Sequence, residues 1–283
     1  MKRAEVLILH GGTGGPTTRD REARIQRALT RIAELSYEFL RRHDALESVV
    51  YAVQQLEDDP LFNAGTGSTL QHDGRARMSA SVMEGAPLRF AGVLNIERVK
   101  NPVAVARILL ETPDRMLAGE PATRFARASG FPDWNPITSD RVMQWRAKVR
   151  GSHGTVGAVA LDADGHVAAA TSTGGKGCEQ PGRVSDSGLP CGNYANDDVA
   201  ISCTGIGEQI NDEGLAPRIA QQVLDGATLA TAMRRTFRQL QRRQRQIGAI
   251  ALTRRGQWAW ATTLPRLHAI SCTPRGYKLW KPS

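Results

Sequence analysis

The sequence predicts an α/β or α+β fold whose sheets are covered by helices. Three observations predict it. The 283 residues are 41% hydrophobic and 23% charged, an ordinary balance for a globular chain that forms one large or two small domains. A run from Pro16 to about residue 55 places Ile25, Ala28, Leu29, Ile32, Ala33, Tyr37 and Leu40 at helical spacing. Past the midpoint, the small and β-branched runs Thr155–Leu161 and Val167–Thr173 flank the turn signal Asp164-Gly165, which predicts a hairpin.

The elements follow in order. Residues 5–10 read as a buried strand, not a signal peptide, and lead into a glycine-rich turn, Gly11-Gly-Thr-Gly-Gly15. The helical run that Pro16 opens breaks near His43 and ends at Asp58-Asp59-Pro60. Residues 68–97 alternate, predicting Ser68–Gln71, a turn at Asp73-Gly74, then a strand from Ala76 to Met83. Helices are expected from Asn101-Pro102 through Glu111 and over 120–129. Residues 131–154 mix Pro, Trp and charge without a core period and predict a linker. After the Thr155 hairpin come a strand at Val199–Thr204, helices at about 212–225 and 227–245, and a hairpin over 248–262 turning at Arg255-Gly256.

Composition narrows the function classes. No apolar run approaches the length of a membrane span. The four cysteines, Cys178, Cys191, Cys203 and Cys272, lack metal-ligand spacing, and reduced thiols in a cytoplasmic protein account for them. The net charge of +9 concentrates in Arg234, Arg235, Arg238, Arg242, Arg243 and Arg245, with Met233, Phe237 and Leu240 between them at helical spacing. That is a helix with one buried stripe and a solvated basic face. A nucleic-acid partner is the sharper reading, but interleaved exposed aromatics are lacking. The glycines at 11–15 suggest a nucleotide phosphate, but no Lys-Ser/Thr ending follows them.

The chemistry points to Thr155. A threonine freed as an N-terminus carries a nucleophilic hydroxyl and a base on one residue. Its α-amine, with a pKa of about 7.7–8.0, is partly neutral at physiological pH. Gly154 before it offers no side chain to obstruct attack on its carbonyl and tolerates the backbone that attack needs. Thr155, Gly157, Val159 and Leu161 share a strand face, and Gly157 is expected to leave open space beside the nucleophile. By itself, Gly-Thr-Val-Gly is an ordinary strand edge. Further stretches give it company. Thr173 ends the returning strand, and its hydroxyl can reach Thr155. Arg183 offers a planar fork for a carboxylate and Asp186 a charge for an ammonium, which together would recognise an α-amino acid head group. Ser202-Cys-Thr-Gly-Ile-Gly-Glu208 follows a strand and offers hydroxyl and N–H groups for an oxyanion.

Taken in order, Gly-Thr-Val-Gly-Ala-Val-Ala-Leu-Asp, Ala-Ala-Ala-Thr-Ser-Thr-Gly-Gly, Pro-Gly-Arg-Val-x-Asp-Ser, Tyr-Ala-Asn and Ser-Cys-Thr-Gly-x-Gly-Glu resemble the plant-type asparaginases, or isoaspartyl peptidases. These are N-terminal-nucleophile hydrolases. His10-Gly-Gly, Leu61-Phe-Asn-Ala-Gly-x-Gly67, Ala80-Ser-x-Met-x-Gly85 and Lys100-Asn-Pro-Val extend the resemblance to the N-terminal half. It implies a four-layer αββα sandwich and self-cleavage between Gly154 and Thr155. An α subunit (1–154, with its linker at about 131–154) and a β subunit (155–283) would stay together as one globular unit, in a dimer of such pairs. Thr155 would be the nucleophile and Thr173 its tuning hydroxyl. Arg183 would bind the substrate α-carboxylate and Asp186 its α-amine. Thr204 and Gly205 would line the oxyanion site, and Asn63 would support the centre. The reaction would be acyl transfer from a β-aspartyl amide, with no cofactor needed for the chemistry. Residues 56–62 resemble a loop that binds sodium through backbone carbonyls, here those of Leu56, Glu57, Asp59, Phe62, Ala64 and Thr66.

The chain departs from the family pattern at Ser79, where Asp is usual, at Gly188, where Pro is usual, and over Ala261–Arg266. These departures bear on substrate choice more than on mechanism. A glycosylasparaginase-like enzyme on the same fold is the nearby alternative, although that group usually has Asp where this chain has Gly154.

Overall fold

A computed structural model describes residues 3–14, 18–148 and 154–281. The fold is mixed α+β. Its larger sheet has the strand order β12-β11-β1-β5-β6-β2-β3-β4, where β1 is Val6–Gly14, β2 Met78–Glu84, β3 Arg89–Ile96, β4 Met116–Ala118, β5 Val156–Leu161, β6 Val167–Thr173, β11 Arg266–Thr273 and β12 Gly276–Leu279. The smaller sheet runs β10-β9-β8-β7, with β7 at Asn193–Ala195, β8 at Val199–Gly205, β9 at Ile247–Thr253 and β10 at Trp258–Thr262. Pairing is antiparallel except between β3 and β4.

Eight helices lie among the described residues. They are α1 Arg19–Leu40, α2 Ala45–Asp58, α3 Pro102–Leu109, α4 Gly119–Ala128, α5 Ser139–Arg146, α6 Gly207–Glu213, α7 Leu215–Leu224 and α8 Leu229–Arg242. The expected break near His43 arises because Asp44 caps α2, its carboxylate accepting from the Glu47 N–H at 2.8 Å. The basic helix α8 buries Met233, Phe237 and Leu240, as their spacing predicts. None of the described helices is long and apolar enough to cross a membrane.

Three apolar clusters use the period-2 alternation of the strands. Val156, Ala158 and Ala160 of β5 join Ala168 and Ala170 of β6 in a cluster with the apolar stripes of α1, α2 and α3. Val159, Leu161, Val167 and Ala169, on the opposite face, cluster with Ala200, Ile250 and Leu252 of the smaller sheet. Val199, Ile201 and Cys203 point away from them, into a third cluster with α7 and α8. Thr155, Gly157, Thr171, Thr173, Ser202 and Thr204 continue the alternations that face the other sheet, so the site is built on inner faces.

Several expectations need correction. Gly11–Gly14 is not a turn but a continuation of β1, with an irregular register between His10 and Thr13; Gly15 lies outside the described residues. A Cβ at Gly11 would lie 2.4 Å from the Phe62 ring, so this glycine serves packing and not a phosphate. The turn expected at Asp73-Gly74 forms, with the Gly74 N–H donating to the Gln71 carbonyl and the Gln71 N–H to the Arg75 carbonyl, both at 2.9 Å, but it joins no pair of strands; the hairpin of β2 and β3 turns at residues 85–88. Residues 68–77 instead follow loop contacts: the His72 N–H donates to the Glu179 carbonyl, and the Cys178 N–H to that of Leu70, both at 2.8 Å. The helix expected over 212–225 is two, divided at Gly214 with φ +52°. Finally, the segment read as linker contains α5, and β4, β7, β11 and β12 were not anticipated.

Candidate active site

Thr155 sits at the entry to β5, which lies between β1 and β6. It is 5% exposed, and its hydroxyl donates to Thr173 Oγ1 at 3.3 Å. The same Oγ1 accepts the Gly175 N–H at 3.2 Å, which fixes the rotamer of Thr173. The hairpin thus brings together the two hydroxyls that the sequence suggested.

Asn63 holds the loop beyond Thr173. Its Nδ2 donates to the Gly175 carbonyl at 2.6 Å, and its Oδ1 accepts the Thr69 N–H at 2.8 Å. Its own carbonyl accepts from the Gly174 N–H at 2.8 Å. A Cβ at Gly174 would lie 2.6 Å from Asn63 Oδ1, so only glycine admits this clasp.

Gly157 does not leave open space. A Cβ there would lie 2.0 Å from Ser202 Oγ and 2.5 Å from His10 Nε2, which fill the position. These two atoms are 2.8 Å apart, and Ser202 Oγ meets Thr171 Oγ1 at 2.7 Å. Thr171 in turn donates to Asn193 Oδ1 at 3.2 Å. A buried polar chain therefore joins the two sheets beneath Thr155. Burial lowers the His10 pKa to about 3, and the Thr155 backbone offsets this only in part. The imidazole is neutral, and its Nδ1 makes no well-formed hydrogen bond among the described residues. Sequence reasoning missed this chain; the joint presence of His10, Gly157 and Ser202 in the quoted motifs was its only trace. Gly157→Ala is expected to cost at least about 3 kcal/mol through overpacking and a broken buried network. Chemical denaturation checks this; a loss under 1 kcal/mol would contradict it.

Asp186 is 1% exposed and opens a short 3₁₀ turn, Asp186–Gly188. One carboxylate oxygen accepts from Ser185 Oγ at 3.0 Å; the other has no partner among the described residues. Burial pushes its pKa up to about 6, against the pull of Ser185 and of Arg183. Cβ atoms at Gly192 and Gly207 would come within 2.4 and 2.6 Å of this carboxylate, so both glycines make room for it.

Arg183 pairs with Glu208 and not with Asp186. Its Nε and Nη2 reach the two Glu208 oxygens at 3.0 and 2.9 Å, and Lys176 Nζ shares one of them at 2.9 Å. Burial would raise the Glu208 pKa, but these donors outweigh it and hold the group at about 2. Arg183 Nη1 makes no hydrogen bond among the described residues, which leaves one edge of the guanidinium for a second carboxylate. Thr204 is fully buried, and its hydroxyl is likewise without a partner among the described residues. Gly205 follows at φ +133°, where a Cβ would strike the Gln246 carbonyl at 2.3 Å.

The departures from the family pattern lie close by. Ser79 is the cross-strand partner of Thr173. Gly188 packs against β3, where a Cβ would meet Leu94 Cδ2 at 2.2 Å, which explains why a bulkier residue is absent. Thr262 bonds Thr13 at 3.1 Å, so the altered 261–266 stretch ties β10 to β1. A cleft of about 870 Å³ along Arg3, Trp258 and Tyr277 contains none of the site residues.

Among the described residues no group of three or more His, Cys, Asp or Glu side chains is placed to hold a metal ion. The carbonyls considered for sodium are partly spent on protein donors. Glu57 O accepts from the Thr66 N–H at 2.8 Å, and Asp59 O from the Phe62 N–H at 3.1 Å. Phe62 O accepts from the Arg141 guanidinium at 3.2 Å. A guanidinium at Phe62 repels a second cation there, so the loop does not fit a sodium ion held by all six of Leu56, Glu57, Asp59, Phe62, Ala64 and Thr66.

Glu57 is itself buried beneath this loop, with Ser172 Oγ at 2.6 Å and the Val103 N–H at 3.1 Å on one oxygen. Burial raises its pKa to about 8, despite these bonds. The native state therefore holds a proton that the unfolded chain releases near pH 4.5, and the resulting stability is lost as pH rises towards 8. Glu57→Gln is expected to match the native protein in melting temperature at pH 5 and to exceed it increasingly up to pH 8. A constant difference would reject this account.

Fold and site together define an enzyme of the hydrolase class. A sequence model described as asparaginase matches residues 3–277, and the chain belongs to that family. It is similar to the isoaspartyl peptidase/L-asparaginase of Nostoc sp., 43% identical over 91% of this chain and 88% of the relative. The Synechocystis sp. protein of that name is 41% identical, covering 93% and 86% respectively. The human one is 37% identical, covering 91% and 90%.

Proposed function

We propose that the chain is a self-processing threonine amidohydrolase that cleaves β-aspartyl amides, namely isoaspartyl dipeptides and L-asparagine. One observation carries the reading: the buried Thr155–Thr173 hydroxyl pair shares the inner faces of the sheets with the unpartnered Thr204 hydroxyl, and Asp186, with one carboxylate oxygen unpartnered among the described residues, lies beside Arg183. The names of the relatives support the substrate class. The three apolar clusters support layers arranged as an αββα sandwich.

In maturation, Thr155 Oγ1 attacks the Gly154 carbonyl carbon. The C–N bond breaks, nitrogen takes the hydroxyl proton, and water hydrolyses the resulting ester. This releases residues 1–154 as an α subunit and 155–283 as a β subunit. In turnover, the freed amine takes the hydroxyl proton as Oγ1 attacks the β-carbonyl. Thr204 and Gly205 stabilise the oxyanion, and the proton leaves with ammonia or an amine. Water then splits the acyl-enzyme. Arg183 offers its free edge to the α-carboxylate, and Asp186 takes the ammonium. This chemistry draws on no cofactor. The reading includes a homodimer of processed αβ pairs, that is a heterotetramer, and a cytoplasmic setting.

The test is denaturing electrophoresis of purified protein with sequencing of the smaller band. Two bands, one beginning at Thr155, are expected. An intact chain or another new N-terminus would sink the reading. Turnover of β-aspartyl dipeptides over aspartyl-glucosamine separates it from a glycosylasparaginase-like enzyme.

A further inference from the structure

Arg141 is 8% exposed and makes no salt bridge with a carboxylate among the described residues, an expensive position for a cation unless neutral acceptors surround it. It lies on α5, ahead of the Gly154–Thr155 bond. Its Nη2 donates to the Phe62 carbonyl at 3.2 Å, its Nε to the Gly67 carbonyl, and its Nη1 to Gln144 Oε1 at 2.9 Å. Burial lowers its pKa to about 10, with Arg21 adding to the effect and Asp140 opposing it, so it remains charged at neutral pH.

The two carbonyls bracket Asn63, and neighbouring residues tighten the same grip. The Gly67 N–H donates to the Pro136 carbonyl at 2.8 Å, and Trp134 Nε1 to Thr66 Oγ1 at 3.1 Å. The Trp145 ring packs on Gly74, where a Cβ would come within 3.1 Å. From there the contacts run without a gap to the candidate nucleophile. Asn63 holds Gly174 and Gly175, the Gly175 N–H holds Thr173 Oγ1, and Thr173 accepts from Thr155.

We propose that Arg141 is a positioning residue: it clamps the segment ahead of the scissile bond onto the Asn63 loop, and its guanidinium supplies the positive charge of that carbonyl-lined loop in place of an alkali cation. The proposal deepens the self-processing reading and rests on it for its kinetic consequence.

Two kinds of readout test it. Native protein is expected to cleave itself equally fast in sodium, potassium and tetramethylammonium chloride at equal ionic strength. Arg141→Ala is expected to slow cleavage roughly ten- to a hundredfold, the scale of a small misplacement of reacting groups. Guanidinium chloride at sub-denaturing concentration should restore much of the rate, and tetramethylammonium should not. Arg141→Lys, which keeps the charge, should fall between the two and serves if the alanine variant does not fold. Limited chymotrypsin digestion should cut after Trp145 several-fold faster in either variant. A sodium requirement in the native protein, unchanged cleavage in Arg141→Ala, or equal digestion of the variants would each overturn the proposal. A native chain that never cuts at Thr155 would instead refute self-processing, and the digestion would still decide the clamp.

Discussion

Thr155→Ala is expected to leave the chain uncut and to lower hydrolysis of β-aspartyl amides by about 10⁴-fold or more. Both losses share one cause in the proposed mechanism, where one hydroxyl makes the bond-forming attack in each step. The two attacks are unequal in what assists them. The first occurs before any α-amine exists, so it depends on the placement of Thr155 against Thr173 and on the backbone freedom of Gly154. The second has the amine as its base. Thr155→Ser keeps the hydroxyl and should therefore retain cleavage and turnover, whereas the alanine variant should retain neither. Electrophoresis over days and an ammonia-release assay with L-asparagine give the two readouts. Activity in an uncut Thr155→Ala protein would remove Thr155 from the mechanism. A cut variant would show that another group attacks Gly154.

Much of this site was legible because hydroxyls and charges announce themselves beside glycines. Thr155 and Thr173 lie at the open ends of a hairpin whose turn, Asp164-Gly165, is a local signal, so their meeting follows from two-residue periodicity. The helices α1, α2 and α8 were legible through their 3.6-residue stripes. What stayed hidden depends on contacts across the two sheets or between distant loops. Gly157 looks like empty space in a strand, and only the second sheet shows that His10 and Ser202 fill it. Arg183 and Asp186 look like a pair for one ligand, but Glu208 takes one edge of Arg183 through α6, which follows β8. The turn at Asp73-Gly74 forms as its local signal predicts, but the strand expected before it does not, because His72 and Leu70 bond the distant Glu179 and Cys178 instead of a neighbouring strand. Arg141 was invisible for the same reason: two of its three acceptors are backbone carbonyls of a distant loop, which have no sequence signature.

Asp186→Asn is expected to make the protein more stable and nearly inactive. The carboxylate is buried with one oxygen unpartnered, and its pKa stands at about 6, above its ordinary value of 3.8. The native state therefore favours the protonated form. Stability is greatest below about pH 4 and falls as pH rises through 6, at a cost of about 3 kcal/mol once the group is charged. Asparagine removes that cost and fits nearly the same volume. It also removes the negative charge that an α-ammonium needs, which should lower kcat/KM by about 10²–10³-fold. For the same reason kcat/KM of the native enzyme should fall as pH drops below about 6, where Asp186 protonates in the free enzyme, and the variant should lack that limb. Self-cleavage should persist in Asp186→Asn, since no substrate ammonium takes part in it. Thermal melts at pH 7, a pH profile and electrophoresis together separate the roles. A less stable variant would mean that the charge is satisfied in the native state. Retained turnover would place the ammonium elsewhere.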